Sequence, residues 1–314
     1  MGILWRGRQI FKGSVHFGGG VTGANSYLGS GKVFYVNGES YGPTGSDDNQ
    51  GTDPNYPLAT ITQAVSLCRQ RTNDYVFIQG FYQTDTFPIT LNKRNIHLIG
   101  IAPGGGFQGR ALVDGVGEPA FATGSTGGGV EMAGLRMGAS TGGDPCINVV
   151  TDTYFMYIHD CSFGKYIVAT DGIYGATAHM NGWTIEDCWF GAYLTDCGIE
   201  CTNVVENTVR RNIFSEIHGK GISYGSGAVG EIMDNYFYTP IAEAEASGWA
   251  ITLGGVSCTQ GMIMGNKASQ HGGSSADGGN NPYKDLSTGT LITCTNAWSG
   301  NWDGQNPNAY PDVT

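Results

Sequence analysis

The residues best suited to chemistry recur on a beat. Asp160, Asp187 and Arg211 occupy one position of a repeated phrase: Ile158-His-Asp160-Cys161-Ser-Phe163, Ile185-Glu-Asp187-Cys188-Trp-Phe190 and Val209-Arg-Arg211-Asn212-Ile-Phe214. If successive phrases are successive turns of stacked strands, each step is about 4.8 Å. The Asp160 and Asp187 carboxylates then stand about 5 Å apart, the separation of a retaining glycosidase pair, and Arg211 lies one turn beyond. The full set of occupants argues for a plainer role. They are Gly100, Gly134, Asp160, Asp187, Arg211, Asp234 and Gly265, mostly types that tolerate a left-handed backbone, so the position reads first as a turn requirement.

Other candidates are weaker. The loop 47–53 offers Asp47, Asn49 and Asp53 as oxygen ligands for Ca²⁺. It lacks the downstream bidentate Glu of an EF-hand, and Asp, Asn and Gly serve turns equally well. His159, His179, His218 and His271 are isolated in sequence, with no HxH or HExxH spacing, and His97 and His159 fall at outward strand positions. The glycine runs 104–106 and 127–129 lack the Lys-Ser/Thr of a phosphate loop. Eight cysteines include no CxxC pair, so a zinc site is not indicated. Cys161 and Cys188 share one slot, which predicts stacked reduced thiols ahead of a disulfide. No cofactor is expected, with Ca²⁺ the one alternative.

The elements that position these residues follow from the repeat. The phrase continues as Ile232-Met-Asp234-Asn235-Tyr-Phe237 and Ile263-Met-Gly265-Asn266-Lys-Ala268. Its Cys/Asn position falls at 161, 188, 212, 235 and 266, with steps of 27, 24, 23 and 31 residues, a solenoid period. Alternating apolar residues and a second short segment opening with Gly-Ile (Gly172-Ile173, Gly198-Ile199, Gly221-Ile222) describe strands. The expected fold is all-β: a parallel β-helix solenoid with an N-terminal capping α-helix. That helix is placed at 60–71, opened by a Thr60/Gln63 capping box. Ile61, Ala64, Val65 and Leu67/Cys68 form its apolar face, and Arg69 and Arg71 suit its negative end. The domains expected are an N-terminal arm 1–31, the β-helix 32–298 and an irregular tail 299–314. In the arm, Trp5, Arg6, Arg8, Ile10 and Phe11 are candidate docking residues; the alternative is a strand pair covering the open end.

Composition excludes several classes. The net charge of −11, with 14% charged residues and only scattered basic clusters, argues against a nucleic-acid partner. No apolar run approaches the length of a membrane span, and the first twenty residues lack a signal-peptide core. Synthesis in a cytoplasm without a signal peptide is therefore expected.

The stretch 36–65 carries a resemblance. Gly45, Asp47, Asn49, Gly51, Thr52, Pro57, Thr60, Ile61 and Ala64 match the opening of right-handed parallel β-helix proteins of the pectate-lyase-like superfamily. It is especially similar to β-helix proteins of tailed-phage virions. The specific match spans about 70 residues, 32–100; beyond it only the coil pattern is similar. The resemblance implies a right-handed helix and a non-catalytic bacteriophage virion protein, a capsid decoration, cement or spike component. Its partners would be capsid or tail proteins, in a homo-oligomer such as a trimer. The superfamily also contains lyases using calcium with a basic residue, and hydrolases using clustered Asp. A polysaccharide lyase or glycoside hydrolase of tailspike type, working through Asp160, Asp187 and Arg211, is therefore the alternative. A glycan-binding module stacking sugars on Trp183, Trp189, Tyr193 or Tyr236 is a third reading.

Overall fold

The computed structural model describes residues 31–38, 44–82, 85–101, 111–141, 143–164, 167–238, 249–255, 257–268, 282–287, 296–302 and 311. The docking-arm residues Trp5, Arg6, Arg8, Ile10 and Phe11 lie outside them, as does His271.

The chain is mostly β, with parallel strand pairing throughout its ladders and one helix among the described residues. The arrangement is consistent with an all-β, parallel β-helix-like fold. Eight strands, one per turn and in chain order, make one sheet: Phe81–Tyr82, Ala111–Asp114, Leu135–Gly138, Ser162–Phe163, Trp189–Phe190, Ile213–Ser215, Tyr236–Tyr238 and Lys267–Ala268. The remaining strands form a 17-stranded sheet. Within it the long strands Cys197–Arg210 and Lys220–Met233 run in parallel register from Cys197↔Lys220 to Arg210↔Met233. No helix among the described residues is long and apolar enough to cross a membrane.

The repeated phrase is the register of the stack. Ile158, Ile185, Val209, Ile232 and Ile263 pair in one row and are fully buried. Five residues after each of the first four, the chain has turned a corner and placed a Phe inside. Phe163, Phe190, Phe214 and Phe237 stack at 4.6, 4.7 and 4.7 Å between ring centroids. Each such side chain contributes roughly 1.5–3 kcal/mol by burial. The corner between the two rows is left-handed, with φ of 51° at Asp160, 53° at Asp187, 54° at Arg211 and 54° at Asp234. Gly134, Gly265 and Gly300 repeat it. Gly100 departs from the pattern, because it still belongs to the strand Ile96–Gly100.

The next position points inward and carries a hydrogen-bond ladder. Asn212 Nδ2 donates to Asn235 Oδ1, Asn235 Nδ2 to Asn266 Oδ1 and Asn266 Nδ2 to Asn301 Oδ1, each at 3.0 Å. Each of these amides also donates to a main-chain carbonyl: Asn212 to Ile185, Asn235 to Val209 and Asn266 to Ile232, at 2.9 Å. The Cys188 and Cys161 thiols make the weaker version of the same contact, to Ile158 O at 3.7 Å and Met132 O at 3.5 Å. All seven described cysteines are buried free thiols. Asn301 shows that the ladder runs past the boundary read at 298, as do the strand Ala297–Ser299 and the Lys267↔Trp302 bridge.

The helix spans Ile61–Leu67, shorter than the expected 60–71. Thr60 Oγ1 accepts the Gln63 N–H as expected, but Asp47 replaces the other half of the capping box by accepting the Thr60 N–H at 2.9 Å. Asp85 accepts the Ile61 N–H at 2.6 Å and so sits on the positive end of the helix. Ile61, Ala64, Val65 and Cys68 are buried, whereas Leu67 is exposed. The helix packs against the strands Val33–Asn37, Asp74–Gln79 and Ile89–Leu91. Arg69 and Arg71 lie beyond its end and do not serve its dipole. The fully buried Asp74 instead takes the Arg69 N–H at 2.7 Å and its guanidinium at 2.8 Å.

Candidate functional site

The strands Ile96–Gly100, Glu131–Ala133, Tyr157–His159, Thr184–Glu186 and the end of Cys197–Arg210 lie side by side. Their middle residues point into the core, so the residues on either side point outward. One outward row is Tyr75, His97, Glu131, Tyr157, Thr184 and Thr208; the other is Ile99, Ala133, His159, Glu186 and Arg210. Beside the second row stand the corner residues Gly134, Asp160, Asp187 and Arg211. Chain segments more than twenty residues apart thus place their ionisable groups on one face.

These groups are consumed by one another. Glu131 bridges two turns, with His97 Nδ1 at 2.5 Å and His159 Nε2 at 2.9 Å. His159 Nδ1 meets Asp160 at 2.9 Å. Tyr75 stacks on His97 at 4.1 Å and Tyr157 on His159 at 4.3 Å. Glu186 accepts the Tyr157 hydroxyl, Arg210 Nε and Arg211 Nη2 at 2.5, 2.5 and 2.8 Å. Arg211 also holds Asp187 through Nε at 3.0 Å and Nη2 at 2.8 Å.

The electrostatics follow from these pairs. Hydrogen bonds from His159 and His97 hold the Glu131 carboxyl down to about 2. The same bond with Glu131, aided by Asp160, lifts His159 to about 9 against the opposing effect of burial. Burial would raise Glu186, but Tyr157, Arg210 and Arg211 together bring it down to about 2. Burial and the Glu186 charge push the Tyr157 phenol up to about 12. A carboxylate pair that cleaves glycosides needs one member protonated near neutral pH and the other ionised. Each of these four shifts moves its group's pKa away from neutral pH, as ion pairing and hydrogen bonding to a charged partner dictate.

Asp160, Asp187 and Arg211 do occupy equivalent corners of successive turns. Asp187 is committed to Arg211 and Asp160 to His159. His159 and His179 are not the isolated histidines that sequence suggested, and His97, at its outward strand position, is paired as well. They pair with carboxylates of neighbouring turns, His179 with Asp152 at 2.9 Å. Glu131, Glu186, Arg210 and Tyr157 were missed. Their signal lay one and three places before the corner in the repeat alignment, columns that read as ordinary strand surface.

The 47–53 loop is organised around the helix. Asp47 Oδ1 accepts the N–H groups of Ala59 and Thr60 and Oδ2 accepts the Thr60 hydroxyl, at 2.8–2.9 Å. Asn49 donates to Pro57 O at 2.8 Å, and Asp53 Oδ1 accepts the Asn55 N–H at 2.8 Å. Among the described residues, the group whose atoms converge for a cation is elsewhere: Asp171, Cys197 and Glu200, with ligand atoms within 4.8 Å of one another. Burial, with Asp196 and Glu200 nearby, lifts Asp171 to about 7. Burial also raises the Cys197 thiol and the Glu200 carboxyl. A divalent cation would find three donors there, but Asp171 Oδ1 already accepts the Cys197 N–H at 3.0 Å.

Of the four proposed stacking residues, Trp183 is fully buried and its indole N–H donates to Thr153 O at 2.9 Å. Its position opens a strand that begins one residue later, so it turns inward. Tyr193 and Tyr236 are exposed, and Trp189 is half-buried. Trp189 and Tyr236 share an outward row of the eight-stranded sheet with Ile213 between them.

No protein-family model matches this chain, and no curated protein matches it. Among solved structures it is similar to a rhamnogalacturonan lyase at 13% sequence identity and a TM-score of 0.47, covering 90% of this chain and 85% of that chain.

Proposed function

We propose that the chain is a non-catalytic structural protein of a tailed-phage particle. In this reading it is a right-handed β-helix solenoid, closed at its N-terminal end by the helix Ile61–Leu67 and displayed as a decoration, cement or spike component. The observation that carries the non-catalytic part is the closed pairing of Glu131, His159, Glu186, Asp187 and Arg211. Charges held in this way keep neighbouring turns in register and leave no acid–base pair poised for turnover. The particle is suggested by the resemblance of residues 36–65 to virion β-helix proteins. Residues 1–31 would be the docking arm onto capsid or tail proteins, and a homotrimer the oligomer.

The test is attachment to purified particles. Asp160→Asn combined with Asp187→Asn should bind particles as the unmodified chain does, and removal of residues 1–20 should weaken binding. Absence of the chain from purified particles would sink the proposal. The competing reading is a tailspike-type lyase or glycoside hydrolase. It is favoured by the placement of Asp160, Asp187 and Arg211 on three successive corners of one face, and it requires substrate to break the Asp187–Arg211 pair.

A further inference from the structure

We propose that Tyr154 and Phe155 form a stacking platform for an uncharged polysaccharide, a site separate from the charged face and independent of the virion reading. Phe155 is 70% exposed and has φ of +56°. A bulky side chain is disfavoured in the left-handed region, and exposure of an aromatic ring brings no burial in return. Neither backbone nor core accounts for a phenylalanine here. The same corner in adjoining turns is made by Gly129 (φ +59°) and Gly182 (φ +63°), which suit it.

Those glycines shape the platform. Phe155 N–H donates to Asn181 O and Gly129 N–H to Tyr154 O, so the aromatic pair lies between Gly128–Gly129 on one turn and Gly182 on the next. The Phe155 ring lies against Gly182, where an added Cβ would sit 2.8 Å from its Cδ1. Tyr154 is 47% exposed, its ring centroid 6.4 Å from that of Phe155 and tilted by 45°. Gly128, Gly129 and Gly182 place no side chain over the rings.

The surroundings select the ligand class. Asp152 and His179 are paired with each other at 2.9 Å, and Arg94 donates from Nε to Thr126 O. Asn181 stands in register beside Tyr154. The rim therefore offers hydrogen-bonding groups and charges of both signs, Arg94 on one side and Glu206 beside Gly182 on the other, which fits a neutral, hydroxyl-rich partner. A pyranose ring presents an apolar C–H face to an aromatic ring and hydroxyls to such a rim. A nucleic acid would bring phosphates to a chain of net charge −11.

The test is native affinity electrophoresis of the full chain through gels containing dextran, laminarin, galactomannan or xyloglucan, with alginate as the anionic comparison. At least one neutral polymer should retard the protein, and 0.5 M-scale salt, on the order of a 4 Å Debye length, should not abolish the effect. Phe155→Gly should weaken retardation about ten-fold while leaving the melting temperature unchanged or raised, because glycine suits the left-handed corner. Tyr154→Ser should weaken it less. Four results would overturn the proposal: no retardation by any neutral polymer, retardation by alginate alone, unaltered retardation of Phe155→Gly, or a clear fall in the melting temperature of that variant.

Discussion

Replacing Asn235 by alanine removes the central rung of the buried amide ladder. Asn235 Oδ1 accepts both the backbone N–H and the side-chain amide of Asn212, at 3.0 Å each. Its Nδ2 donates to Val209 O at 2.9 Å and to Asn266 Oδ1 at 3.0 Å. Four hydrogen bonds disappear at a residue only 1% exposed, where water cannot substitute. At about 1 kcal/mol each, with the Asn212 N–H left buried and without its acceptor, the expected loss is about 4 kcal/mol. Asn235→Cys should cost about half as much, because Cys161 and Cys188 fill the same slot and reach the equivalent carbonyls. Urea denaturation followed by far-UV circular dichroism would measure both, provided the m-value is unchanged. A loss below about 1 kcal/mol for alanine, or equal losses for alanine and cysteine, would refute the ladder as a source of stability.

Two further outcomes follow from the same structure. Val65→Asp places an unpaired charge in the 3%-exposed contact between the helix and the first strands; it should cost at least about 2 kcal/mol, and an unshifted melting curve would mean that the helix does not seal this end. His159 is raised from 6.5 to about 9, so its contribution to stability is complete below about 6.5 and lost as pH rises through about 9. Glu131 is lowered from 4.5 to about 2, so its contribution is present above about 4.5 and lost as pH falls through about 2. The melting temperature should therefore decline between pH 6.5 and 9, and His159→Gln should flatten that decline; a His159 ring titrating near 6.5 by NMR would contradict the pairing.

Much of the fold was legible because strands paired in parallel at a regular repeat write their register into the chain. The Asp/Gly corner, the inward Cys/Asn slot and the Phe two residues on are each one column of the repeat, and the structure keeps those columns in line. Asn301 was missed because Gly300-Asn301 sits 35 residues after Gly265-Asn266, in a composition that reads as tail. The helix was read too long because Arg69 looked like a dipole partner, whereas its true partner, Asp74, lies beyond a turn. The charged face was hidden for a different reason. His97, Glu131 and His159 are 34 and 28 residues apart and belong to no motif. Only stacking brings them together, and only the aligned columns beside the corner could have revealed it. Trp183 misled through its size: an aromatic at the start of a strand can face either way, and here it turns inward with its indole N–H donating to Thr153 O.

Whether this face only fixes charges or also turns over substrate is decided by incubating the unmodified chain with host-surface and plant polysaccharides. New reducing ends and unsaturated uronate would be measured over a day. No release above a boiled control is expected. Release that is abolished by Asp160→Asn with Asp187→Asn would contradict it and establish these corners as a catalytic pair.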